Sequence, residues 1–338
     1  MTDISKYTEP ESSTVQAIYD HYKKVGDSQP QRGYLGASII GHPCGRYLWY
    51  CFRQCCKTSY DGRMYRLFET GQLEEERLIN DLVNIGREVH GSDDDGKQFA
   101  VEALGGHFSG HMDGCALGIP EAPKTWHVLE FKTHNAKSFK KLTTEGVQIS
   151  KPMHYAQMQV YMLLSGMARA LYLAVNKDTD EIYAERVKLD KAFAQSMIDR
   201  AECIIESSTP PDKLSERSDY WQCQYCDAKE ICHPGANSVA LPILQLSCRQ
   251  CCHATPDYAG GARWVCEARN EVTIDERNPC DKFMCLPDLI TFAIVDHIDG
   301  DDMTLRCMAS GVMFKHGPYG YTGNDLMELT EAQLQGVS

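Results

Sequence analysis

The sequence predicts an α/β protein with a cysteine-rich C-terminal extension, and three observations lead there. Helical and strand periodicities alternate through the first two thirds of the chain, in the order helix, strands, helix, strand pair, helix. After "SSTPPDK" the composition changes, and cysteines with turn residues dominate to about Cys285. The 338 residues are 43% hydrophobic and 24% charged, an ordinary globular composition with length for roughly two domains.

Each element has its own signal. Val15, Ile18, Tyr19 and Tyr22 recur at helical spacing behind Ser12, Ser13 and Thr14, a capped amphipathic helix. A second helix is expected near Pro43, in "GHPCGRYLWYCFRQCC". A longer one covers "FETGQLEEERLINDLV", with Phe68, Gly71, Leu78, Ile79 and Leu82 on one stripe. Strands follow in "QFAVEAL", "HFSGHMDGCAL" and "WHVLEFKT", then a helix from Pro152 to about Ser165. "ALYLAV" and "EIYAERVKL" flank a turn as a hairpin, and residues 190–206 form an amphipathic helix with Phe193, Met197 and Ile204 on its face. The chain divides at 1–240, 241–290 and 291–338, the last a small β-containing tail without assignable chemistry.

Composition also excludes. No apolar run reaches membrane-spanning length, and "MTDISKYTEPESS" lacks the pattern of a signal peptide, so a cytoplasmic protein without membrane contact is expected. In that compartment sixteen cysteines point to metal rather than disulfides. A net charge of −13 argues against a general nucleic-acid coat. Locally the balance reverses: Lys132, Lys137, Lys140, Lys141 and Lys151 face only Glu145 between 132 and 151, a patch suited to phosphates or a solvated loop.

Four features carry chemistry. Glu75 falls in the middle of the apolar stripe, where an ionised carboxylate is costly unless paired or metal-bound. Asp113 sits in "GHMDG" near a strand end. Glu130 and Lys132 alternate with Phe131, so the acid and the amine share one strand face. Gln157 and Tyr161 stand four apart on the next helix, again on one face. Carboxylates converging on a sheet suit a hard cation, Mg2+ or Mn2+, and Lys132 is placed to orient water or neutralise phosphoryl charge. His107 and His111 are read as shaping the turn before Asp113, and His154 as a surface histidine.

The order Gly71-x-x-x-Glu75, Asp113, Glu130-x-Lys132, Gln157-x-x-x-Tyr161 resembles the RecB-like branch of the PD-(D/E)XK nuclease superfamily over roughly residues 35–235. The resemblance implies a restriction-endonuclease-like core, a central mixed sheet flanked by helices. It implies that Asp113, Glu130 and the Phe131 carbonyl hold the metal together with Glu75, that Lys132 is catalytic, and that Gln157 and Tyr161 position DNA and the active site. Many relatives carry His where this chain has Glu75, and Met112 stands where others have Pro.

"CQYCDAKEICHP" places Cys223, Cys226 and Cys232 in one short segment. The iron–sulfur subset of RecB-like nucleases, which includes CRISPR adaptation exonucleases, has one early cysteine and three after the core. That resemblance implies Cys44 as fourth ligand to a structural [4Fe–4S] cluster; zinc would accept the same thiolates. A second group, Cys248, Cys251, Cys266 and Cys280, with Cys252, His253 and Cys285 as alternates, resembles a zinc-ribbon-like appendage of phage-encoded nucleases. The resulting expectation is a metal-dependent deoxyribonuclease, an exonuclease processing ends in recombination, repair or replication. Its substrate would be single-stranded or end-containing duplex DNA, with a recombinase, single-strand-binding protein or helicase as partner. The rival expectations are a silent scaffold subunit and a regulator dominated by its zinc module. No Walker-type phosphate loop occurs, so any unwinding needs a partner.

Overall fold

The computed structural model describes residues 12–56, 59–235, 240, 241, 243, 245–273, 279–300, 302–308 and 310–329. Three helices open the chain. They are α1 (Ser13–Ser28), α2 (Gly45–Phe52) and α3 (Gly62–Asn84), with the short strand β1 (Leu35–Gly36) before α2. α3 begins earlier than its apolar stripe, because the Asp61 side chain accepts from the Met64 amide and caps it.

The central sheet has the order β2-β5-β6-β7-β8, from Glu88–His90, Gly114–Leu117, His127–His134, Arg169–Asn176 and Ile182–Lys188. β6 and β7 run parallel. A parallel pair needs a crossover, here α4 (Ala136–Ser150) and α5 (Pro152–Ser165). β7 and β8 form the expected hairpin, and α6 (Lys191–Glu206) follows. The sheet is covered on both faces: Leu129, Phe131, Leu171 and Leu173 pack with Leu78 and Leu82 of α3, while Val128, Ala170 and Tyr172 join the core of α4, α5 and α6.

Two segments depart from expectation. "HFSGHMDGCAL" is not one strand. β4 (Phe108–His111) pairs with β1 and β3 (Ala100–Ala103), whereas β5 belongs to the central sheet. The break falls at Met112 and Asp113, and Gly114 at φ +145° turns the chain where a Cβ would meet the His90 carbonyl oxygen at 2.6 Å. The lysine-rich stretch is not a loop but α4, capped by the Asn135 side chain on the Ser138 amide.

Beyond the short helix α7 (Lys229–Cys232) come two small antiparallel sheets. The first holds β9 (Ala254–Asp257), β10 (Arg263–Cys266) and β11 (Glu271–Thr273). The second holds β12 (Ala293–Asp299), β13 (Asp302–Cys307) and β14 (Met313–His316), with α8 (Gly323–Glu328) after it. These regions share the core of the N-terminal part. Trp264 is fully buried and stacks on Phe52 at 5.5 Å between ring centroids. Arg53 and Arg249, both buried, lie over the same indole at 5.0 and 5.2 Å and donate to main-chain carbonyls: Arg53 to Arg249 and Ser207, Arg249 to Phe52 and Gly33. Carbonyl dipoles and the ring face thus offset the burial of two cations, although the Arg53 Nε finds no partner among the described residues.

Candidate active site

β6 supplies the centre of the site. Alternation turns Leu129 and Phe131 into the apolar layer under α3 and leaves Glu130 and Lys132 on the other face. Glu130 is 0% exposed, and its Oε1 lies 2.5 Å from Lys132 Nζ. Apart from this ammonium, no donor reaches either Glu130 oxygen among the described residues. Lys132 also donates to the Phe131 carbonyl at 2.8 Å.

Asp113 arrives from the β4–β5 break. Its Oδ2 accepts the Phe131 amide at 2.7 Å and stands 3.9 Å from Lys132 Nζ. Glu75, half-buried on α3, comes within electrostatic reach of Asp113 and Lys132. The Gln157 amide donates to the Tyr161 hydroxyl at 3.1 Å, on the face expected, and Tyr161 feels the charges of Glu130 and Asp113. The Tyr161 ring lies so close to β4 that a Cβ on Gly110 would meet it at 2.6 Å. The six residues singled out in the sequence are therefore neighbours in space.

Their electrostatics follow from burial. Loss of water pushes the Glu130 carboxyl up to about 7; Lys132 opposes the shift and Asp113 reinforces it. Burial likewise lifts Glu75 to about 7, and raises Asp113 against the pull of Lys132. Burial would lower Lys132, but Glu130 and Asp113 outweigh it and its ammonium is held charged. Three carboxylates face one ammonium, and the buried Glu130 oxygens have no partner besides it among the described residues, so the donor set fits a hard divalent cation. No three His, Cys, Asp or Glu side chains among the described residues already form a cage, and Lys132 lies between the acids.

The histidines behave differently from expectation. His107 is buried, its Nε2 reaching the carbonyls of Arg263 at 2.9 Å and Asp257 at 3.3 Å, and so ties β4 to the C-terminal region. His154 is no surface histidine. Its Nδ1 meets the Tyr172 hydroxyl at 2.8 Å, and the same hydroxyl lies 3.0 Å from His134 Nε2. Burial, then Lys151 and Lys132, hold His134 down at about 4; burial first, then Lys132, brings His154 to about 3. Tyr172 is opposite Glu130 across the parallel pair. Sequence reasoning missed this neutral cluster because only the β6–β7 register reveals it.

Cys44 caps α2, its sulfur accepting from the Tyr47 amide at 3.4 Å. It lines one cavity with Cys223, Cys226 and Cys232, and each of those three thiols is raised by burial first and also by the charge of Cys44. The second group is more dispersed. The main chains of Cys251 and Cys285 pair in a single antiparallel β-bridge, both thiols being free, and Cys252 lowers the Cys251 thiol by a hydrogen bond. Cys266 pairs with Ala254 across β9 and β10, the Cys280 sulfur lies beside Arg269, and Cys248 opens a helical turn capped by Ser247.

No curated protein matches the chain in sequence. Solved structures similar to it include that of SSO0001, with 15% identity, a TM-score of 0.38, and coverage of 65% of this chain and 96% of the other. An alkaline exonuclease (LHK-Exo) from Laribacter hongkongensis is similar at 15% identity and a TM-score of 0.35, covering 55% of this chain and 90% of its own. A phage-related exonuclease from Haemophilus somnus 129PT is similar at 17% and 0.31, covering 40% and 68%. Residues 48–233, more than half of the sequence and the stretch that holds Glu75, Asp113, Glu130, Lys132, Gln157 and Tyr161, match one family, and the chain belongs to the PD-(D/E)XK nuclease superfamily.

Proposed function

We propose that this protein is a divalent-metal-dependent deoxyribonuclease acting as an exonuclease on DNA ends, in recombination, repair or replication. The observation that carries the reading is the meeting of Glu130, Asp113, the Phe131 carbonyl and Lys132 within one buried cluster. Glu75, Asp113, Glu130 and the Phe131 carbonyl would hold Mg2+ or Mn2+. That ion, when bound, supplies Lewis-acid polarisation of the phosphodiester and a water acidic enough to attack it.

The residues do the rest. Asp113 is fixed by the Phe131 amide, so it enters the site pre-oriented. Lys132 keeps its charge in the buried cluster and neutralises the phosphoryl oxygens as they gain charge. Tyr161, held by Gln157, faces the same centre and positions the strand.

In the same reading Cys44, Cys223, Cys226 and Cys232 hold a structural [4Fe–4S] cluster that clamps α2 to α7, and Cys248, Cys251, Cys266 and Cys280 hold zinc. Iron, sulfide and zinc content of protein purified without oxygen, beside a Cys44→Ser variant, checks both assignments. The nuclease itself is tested with end-labelled single- and double-stranded DNA and Mg2+ or Mn2+. Cleavage that needs the metal and disappears in Glu130→Ala supports the proposal; intact DNA with folded wild-type protein sinks it.

A further inference from the structure

Between α1, residues 29–36 and the first half of α3 lies an open groove of about 790 Å³. Its walls are aromatic, from Tyr22, Tyr34, Tyr60, Tyr65 and Phe68, with Arg32 at the rim. Phe68 and Tyr60 remain 42% and 38% exposed, with rings edge to face at 4.9 Å. Tyr65 is fixed as wall by its hydroxyl on Asp27 at 2.8 Å. The acid within the groove, Glu69, accepts from the Tyr22 hydroxyl and so is held to the α1 side, while Arg32 supplies the opposite charge.

Both walls continue in the direction of the candidate active site. Phe68, Gln72 and Glu75 stand at i, i+4 and i+7 on α3, and seven residues of helix rise about 10 Å, on the order of three stacked nucleotides at 3.4 Å each. On the opposite wall the Tyr34 hydroxyl lies 3.4 Å from His111 Nδ1, two residues before Asp113. The charge of Arg32 reaches Tyr161.

We infer that this groove binds unpaired nucleotides of single-stranded DNA and leads that strand to the carboxylate cluster. Exposed ring faces reward bases whose own faces are free, and a duplex keeps its bases stacked inside. Arg32 meets the backbone phosphate beside them. The inference rests on the nuclease reading and adds the strand form that the site accepts.

The test is equilibrium binding without divalent metal, so that cleavage plays no part. A short fluorescein-labelled oligothymidylate and a blunt duplex of equal length are titrated against the full chain. Wild type should prefer the single strand. Phe68→Ala combined with Tyr60→Ala should weaken that binding about tenfold or more while duplex binding holds. Phe68→Tyr, which keeps the ring, should restore it, separating stacking from folding. Arg32→Ala should flatten the slope of log affinity against log salt by about 0.7. Equal affinity of wild type for both DNA forms, or unchanged single-strand binding in the double variant, overturns the inference. Failure of the nuclease reading shows elsewhere, as absent cleavage when Mg2+ or Mn2+ is added.

Discussion

Glu130 concentrates the tension of the molecule at one side chain. Its carboxylate is buried, central in the sheet, and faced by a single ammonium. Glu130→Gln should therefore lower cleavage by at least about 100-fold, the scale of losing one strong electrostatic partner in a dry site. The same change should stabilise the metal-free protein at pH 8, because it removes a buried charge; thermal melts of the two proteins check this. The pH dependence follows in sign. A carboxyl raised in the folded state from 4.5 to about 7 contributes stability below pH 4.5, and loses it as pH rises through 7. For Glu130 alone the span is at most about 3 kcal/mol. The metal-free protein should thus melt lower at pH 8 than at pH 5.5, and added Mg2+ should raise the melting temperature more at pH 8. A Mg2+ shift independent of pH would contradict the buried-acid account.

At the scale of elements, the break between β4 and β5 delivers Asp113. Gly114→Ala should cost about 1–3 kcal/mol, since φ +145° strains any side chain and a Cβ would meet the His90 carbonyl at 2.6 Å. Activity should fall further than stability does, because Asp113 would lose its seat at the Phe131 amide; denaturant melts beside cleavage rates separate the two effects. The sequence made the Glu130-x-Lys132 strand and the Gln157/Tyr161 face legible, since each depends on a local period. It also made α1, α2, α5 and α6 legible through apolar spacing and, for α5, Pro152 at its start, although no side chain caps α1 as Ser12, Ser13 and Thr14 had suggested. It hid the β4–β5 break, because the alternation of "HFSGHMDGCAL" continues across a change of sheet. It hid α4, whose lysines mask an apolar face of Phe139, Leu142 and Val147. His134 and Tyr172 were beyond it, since their meeting requires a parallel register that no local pattern encodes.

At the scale of the whole molecule, one core runs from α2 to α8. Trp264→Ala should cost about 3–5 kcal/mol by emptying the space between Phe52, Arg53 and Arg249. Truncation after residue 240 should lower the stability and solubility of the remaining nuclease region, read by melting and by sedimentation, because it uncovers Phe52, leaves His107 without its carbonyl partners and leaves Arg53 with the Ser207 carbonyl but not that of Arg249.

The clasp of His107 on the Asp257 and Arg263 carbonyls has one more consequence. His107 leads directly into β4, and β4 ends two residues before Asp113. On the metal-dependent reading, docking of the C-terminal sheets and occupation of the carboxylates would be coupled through this single short strand. Such a coupling is reciprocal: loosening the clasp would weaken the hold on the cation, and the cation would tighten the clasp by the same free energy.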